Sequence, residues 1–176
     1  MICSAELRQM VDEDLRPEEA TMPRIVTNLW FDNEGEEAAE FYCSVFPSSK
    51  ITHVSRYPEG SDRAGQALTI DFELDGTPFT ALNGGPEFTF DEAISIVIEC
   101  QDQDEIDRYW KALTDGGEDG PCGWIKDRYG LSWQLVPANW SEVVHEDDPE
   151  AYARAFGAVM QMHKLDLAAI EAAAKG

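Results

Sequence analysis

A repeat constrains this chain more than any other feature of its sequence. Glu37, Phe41, Tyr42 and Val45 return 68 residues later as Glu105, Tyr109, Trp110 and Leu113, while Gly76 and Phe79 return 54 residues later as Gly130 and Trp133. A repeat of this size implies one supersecondary unit used twice, packed so that each copy helps to bury the other. A chain of 176 residues holds two such units with extensions, and no second full-sized domain.

The unit can be spelled out from local pattern. Ile25-Val26-x-x-Leu29-Trp30-Phe31 reads as a strand, and Asn33 and Glu36 have the spacing of a capping box. The helix that follows buries Ala38, Phe41, Tyr42 and Val45 and is stopped by Pro47. Strands are expected at Lys50 to Arg56, Ala67 to Leu74 and Thr77 to Asn83, with Asp75-Gly76 as a hairpin turn. The second copy begins with a strand at Ile94 to Ile98, a capping box at Asp102 and Glu105, and a buried stripe of Ile106, Tyr109, Trp110 and Leu113. It is shorter before its hairpin, so strands around Glu118 and from Cys122 to Lys126 should be short. The expected class is α+β: two βαβββ modules at about 24–85 and 92–140, within a domain spanning 22–140.

The flanks differ. Residues 1–21 lack a periodic apolar face and are expected to be a disordered extension. Residues 141–176 read as a helical tail: Asp148-Pro149-Glu150 starts a helix, and Tyr152, Phe156, Val159 and Met160 fall at helical spacing as a core or subunit-interface stripe.

Charge narrows the partners. With 35 acidic and 13 basic residues the net charge is −22, which repels phosphate backbones and anionic lipid and argues against nucleic acid and membrane. The acidity fits either ordinary solvated faces or adaptation to a high-salt cytoplasm. No apolar run is long enough for an export signal or a membrane span, so the expected location is cytoplasmic. Cys3, Cys43, Cys100 and Cys122 are scattered and form no Cys-x-x-Cys pair.

Three phrases carry a family likeness: Asn28-Leu29-Trp30-Phe31-Asp32, Phe79-Thr80-Ala81-Leu82-Asn83-Gly84-Gly85, and Cys122-Gly123-Trp124-Ile125-Lys126-Asp127-Arg128-Tyr129-Gly130-Leu131-Ser132-Trp133-Gln134. Together with the tail phrase Met160-Gln161-Met162-His163-Lys164-Leu165-Asp166, they resemble the PhnB-like branch of the vicinal oxygen chelate superfamily, relatives of glyoxalase I, bleomycin-resistance protein and extradiol dioxygenases. The resemblance implies a cup-shaped mixed sheet, a homodimer, and a small organic ligand in the concave side. In metal-dependent relatives, the first and last strands of each module supply His or Glu to a divalent cation. Matched through the repeat, those positions here are Thr27, Thr80, Ser95 and Gln134. These are ligand-binding candidates, but neutral hydroxyls and an amide do not retain zinc, nickel or iron. No metal and no cofactor are therefore expected.

The histidines do not replace the missing ligands, since His53 lies on a middle strand, His145 in an acidic loop and His163 on the tail helix. Asp71, Glu73 and Glu99 are the carboxylates that could face the cup as general bases, and Cys122 beside Gly123 is a candidate nucleophile on a strand. Two functions follow: a protein that binds an organic small molecule in a metal-free cup, or a metal-independent enzyme using a carboxylate or Cys122. Members of this branch often carry the label 3-demethylubiquinone 3-methyltransferase. The sequence disfavours that chemistry here, because neither Gly84-Gly85-Pro86 nor Gly116-Gly117 joins a strand to a helix as a cofactor-cradling turn does.

Overall fold

The computed structural model describes residues 25–176, so the expected extension at 1–21 lies outside the described residues. The first module comprises β1 (Thr27–Phe31), α1 (Gly35–Val45), β2 (Lys50–Arg56), β3 (Ala67–Leu74) and β4 (Thr77–Asn83). The second comprises β5 (Ile96–Cys100), α2 (Gln103–Leu113), β6 (Glu118–Asp119), β7 (Trp124–Lys126) and β8 (Ser132–Pro137). Three helices follow: α3 (Trp140–Val143), α4 (Pro149–Val159) and α5 (Leu167–Lys175).

Each module forms its own four-stranded mixed sheet, in the orders β1-β4-β3-β2 and β5-β8-β7-β6. The first strand of each pairs in parallel with the last, and the remaining pairs are antiparallel. The sequence repeat is thus a structural repeat, but among the described residues no strand of one sheet is hydrogen bonded to the other. Instead the helix-covered faces share one core. Phe46 stacks on both Tyr109 and Trp133, and Tyr42 meets Trp133 edge-on, so side chains of the first module fill space against the second. Tyr42 and Trp133 are fully buried, and a fully buried large side chain contributes about 1.5–3 kcal/mol.

The local signals are realised unevenly. Asp75 and Gly76 both adopt positive φ, as a two-residue hairpin requires. Asp102 caps α2 through Glu105 N at 2.9 Å, and Asp148 caps α4 through Glu150 N and Ala151 N. The Asn33 and Glu36 box does not form. Glu34 occupies the cap position of α1 without a side-chain cap bond, and the free N–H of Gly35 is taken by Asn83 Oδ1 of β4 at 2.8 Å. A Cβ on Gly35 would stand 2.7 Å from that oxygen. β5 begins two residues later than the sequence suggests.

The tail helices build a second core from Val144, Ala155, Val159, Leu165, Ile170 and Ala174. The stripe is rotated from its expected place: Ala151, Ala155 and Val159 are buried, whereas Phe156 and Met160 are 44% and 52% exposed. This unit docks on the second module through backbone bonds from Cys122 N to Met162 O and from Gly123 N to His163 O, both 2.7 Å. Gln103 completes the dock, donating to Leu165 O and accepting from Leu167 N.

Candidate functional site

Strand alternation gives each sheet a helix-covered face and an open face. On β3, Ile70, Phe72 and Leu74 are buried toward the helix, which leaves Thr69, Asp71 and Glu73 on the open side. Thr80 stands opposite Asp71 and donates from Oγ1 to Asp71 Oδ1 at 2.6 Å. His53, on β2, stands opposite Asp71 from the other side. Glu73 lies within 3.7 Å of Lys50.

On the second sheet Trp133 and Leu135 are buried, and Gln134 faces outward opposite Val97 and Trp124. Gln134 Nε2 donates to Ser95 Oγ at 2.7 Å. The pair leaves the amide carbonyl and the serine hydroxyl hydrogen for a further partner. Glu99 shares this parity and is exposed.

The four candidate ligand positions therefore resolve into one hydrogen-bonded pair, Ser95 with Gln134, and one member of another pair, Thr80 with Asp71. Thr27 joins neither. Its partner in the ladder is buried Phe79, so it shares the helix-covered parity, and Asn28 is the residue opposite Thr80. The reason is a one-residue slip in the repeat: Thr27 and Ile96 face Phe79 and Trp133, so Ile96 rather than Ser95 is the counterpart of Thr27. A slip of one residue moves a side chain to the opposite face.

Cys122 is not on a strand. It adopts φ 56° in the turn before β7, and its Sγ lies 3.6 Å from Val159 O and 3.7 Å from Met160 Sδ, directed at the tail. His163 lies between α4 and α5 rather than on a helix, with Nδ1 2.9 Å from Asp119 Oδ2.

Sequence reasoning missed two features. Asp127 is buried and accepts four hydrogen bonds, from Tyr42 Oη, Trp133 Nε1, Tyr129 N and Leu131 N. Burial raises its pKa above the ordinary carboxylate value, and these donors pull the other way. The signal available was Asp-x-x-Gly ahead of a strand, which reads as a turn. The second is a cavity of about 320 Å³ on the open face of the second sheet, lined by Trp124, Lys126 and Ser132 among others. Two grooves lie elsewhere: one of about 620 Å³ includes Glu99 and Phe46, and one of about 580 Å³ includes Trp30, Phe88 and Tyr129.

The double βαβββ architecture agrees with the comparisons. The family model described as 3-demethylubiquinone-9 3-methyltransferase matches residues 23–136. The chain belongs to this family. A solved structure described as a putative 3-demethylubiquinone-9 3-methyltransferase, PhnB protein, from Bacillus cereus is 33% identical, with a TM-score of 0.60, covering 66% of this chain and all of that one. Protein PA1353 from Pseudomonas aeruginosa, at 19% identity and a TM-score of 0.57, shares the fold over 66% of this chain and 98% of its own. So does the fosfomycin resistance protein FosX from Listeria monocytogenes complexed with Mn(II) and sulfate ion, at 15% identity and a TM-score of 0.51, over 68% and 95%. No curated protein matches the chain.

Two cofactors suggested by these names meet residues that do not fit them. Gly84 and Gly85 serve packing rather than a nucleotide-type cofactor: the Trp30 ring lies where a Gly84 Cβ would stand, and Trp30 Nε1 donates to Gly85 O at 2.8 Å. The chain after them is irregular up to β5, so the turn leads into no helix. For a divalent cation, Asp71 and Ser95 already accept from Thr80 and Gln134, and among the described residues no three His, Cys, Asp or Glu side chains are grouped so that they could hold a metal ion.

Proposed function

We propose that this member of the family binds a small organic molecule on the open faces of its sheets without a metal or cofactor, and that it does so as a homodimer. The observation that carries the reading is the Ser95 and Gln134 pair, a half-buried neutral donor and acceptor set directly beside the half-buried indole of Trp124. Such a set orients a polar group while an aromatic wall supplies apolar contact. Binding is favoured over catalysis by where the reactive candidates stand: Cys122 is turned to the tail, and Asp71 is engaged by Thr80.

Sheet edges and exposed apolar side chains support the dimer reading. Among the described residues β1 and β5 each pair on one side only, and Ile25, Ile94 and Val97 are 93%, 70% and 51% exposed near them. An unpaired edge with apolar flanks is a template for a second chain. Within one chain the helix-covered faces look inward on the shared core, so a second copy is what would close each open face into a cup. Among the described residues no helix is long and apolar enough to cross a membrane, and the free cysteines Cys43, Cys100 and Cys122 suit a reducing cytoplasm.

The test is a metabolite-library screen by ligand-observed NMR on the full chain. Hits should weaken in Gln134→Ala and Ser95→Ala while the fold persists, and chelator treatment should leave them unchanged. Hits indifferent to both variants sink the assignment, and one equivalent of bound transition metal in tag-free protein sinks the metal-free reading. Light scattering should give a dimer that Val97→Asp weakens.

A further inference from the structure

Ser132 holds the only buried side-chain polar atom among the described residues that lacks a hydrogen-bond partner. The residue is 1% exposed, and a buried hydroxyl left unpaired is unfavourable. It lines the 320 Å³ cavity on the open face of the second sheet, on the side that also carries Gln134. Trp124 and Pro121 line it as well. The lining thus sets apolar side chains, Trp124, Ile125 and Pro121, beside a hydroxyl that lacks a counterpart.

The charges around it decide which counterpart. Glu92, Glu118 and Asp119 line the cavity against a single cation, Lys126. That lysine is already engaged, with Nζ bound to Glu92 Oε1. Glu118 stands opposite Lys126 in the β6–β7 ladder, and Asp119 is held by His163. A net negative lining within a chain of charge −22 repels an organic anion and favours a cation.

Resting on the binding reading above, we propose that this cavity takes the ammonium end of a small aromatic amine. An ammonium N–H donates to Ser132 Oγ, Glu118 supplies the compensating charge, and the aromatic body lies against Trp124, with cation–π attraction adding to the contact. Pro121 of the lining leads directly into Cys122 and Gly123, which the tail holds through Cys122 N to Met162 O and Gly123 N to His163 O. The cavity's shape therefore depends on residues beyond the 23–136 match to the family.

The test uses three probes of one shape and different charge on the full chain: 2-phenylethylamine, 2-phenylethanol and phenylacetate, titrated by calorimetry at low salt. The amine should bind about tenfold tighter than the alcohol, and phenylacetate should not bind. Ser132→Ala should weaken the amine about tenfold without lowering the melting temperature, since it removes an unpartnered hydroxyl. Glu118→Gln, at an exposed position, should weaken the amine and flatten its salt dependence even if Ser132→Ala fails to fold. Equal binding of amine and alcohol, both weakened by Gln134→Ala, overturns the amine assignment and leaves the binding reading standing. Failure of the amine to bind at millimolar concentration, or amine binding unchanged in both Ser132→Ala and Glu118→Gln, also overturns it.

Discussion

Tyr42 Oη donates to Asp127 Oδ2 at 2.8 Å, joining the helix of the first module to the hairpin of the second across 85 residues of chain. Both groups are buried, and burial raises both pKa values, that of Tyr42 well above 10.0. Trp133 Nε1 donates to the same oxygen, so one carboxylate ties together the side chains at the centre of the shared core.

Asp127→Asn should destabilise the fold by about 1–3 kcal/mol, because an amide cannot accept from four donors and one of its groups would point N–H at N–H. The cost should depend on pH. Because the folded-state pKa of Asp127 is raised, its protonated form is favoured in the fold, and its contribution to stability grows as pH falls from the raised value toward the ordinary 3.8. The wild-type advantage over Asp127→Asn should widen over that window in urea melts. A gap that narrows as pH falls contradicts the assignment.

Asn83 should behave as the cap of a helix that lies 48 residues away from it. Asn83→Ala removes the acceptor for Gly35 N and the donor to Ala67 O, at a cost of about 1–2 kcal/mol. Asn33→Ala should cost a few tenths at most, since Asn33 makes no cap bond to α1. Thermal melts of the two variants separate them, and equal effects would refute the cap.

The tail should be sensitive at its small and aliphatic residues, not at its largest ones. Ile170→Ala leaves a cavity in the second core and should cost about 2–5 kcal/mol, whereas Phe156→Ser and Met160→Ser should stay within about 0.5 kcal/mol. Deleting residues 149–176 uncovers apolar surface on Val144 and around Cys122, and aggregation is expected. Guanidinium melts and light scattering check each. A large loss in Phe156→Ser would show that its exposed ring is covered in solution.

Salt should stabilise the chain. Self-repulsion from a net charge of −22 is strong when the Debye length is long and fades as it falls to about 3 Å near molar salt. The melting temperature should rise with KCl. A flat response would favour ordinary solvated faces, and a rise that continues past the screening range would favour adaptation to a saline cytoplasm.

The elements themselves were legible in the sequence because their signals are local. Asp75-Gly76, Asp102 with Glu105, and Asp148-Pro149 act between residues a few positions apart, and each produced the turn or cap expected. The repeat and the family phrases carried the double βαβββ plan. What shares a face was decided only by tertiary structure. The ladder register between β1 and β4 puts Asn28, not Thr27, opposite Thr80, and which residue of one strand meets which of the other is fixed only when the strands pair. Likewise Asn83 reaches Gly35, Asp127 gathers Tyr42 and Trp133, and the tail draws Cys122 out of the strand. These groups meet because packing brings distant segments together, and the free energy that holds them there comes from contacts that neighbours along the chain cannot make.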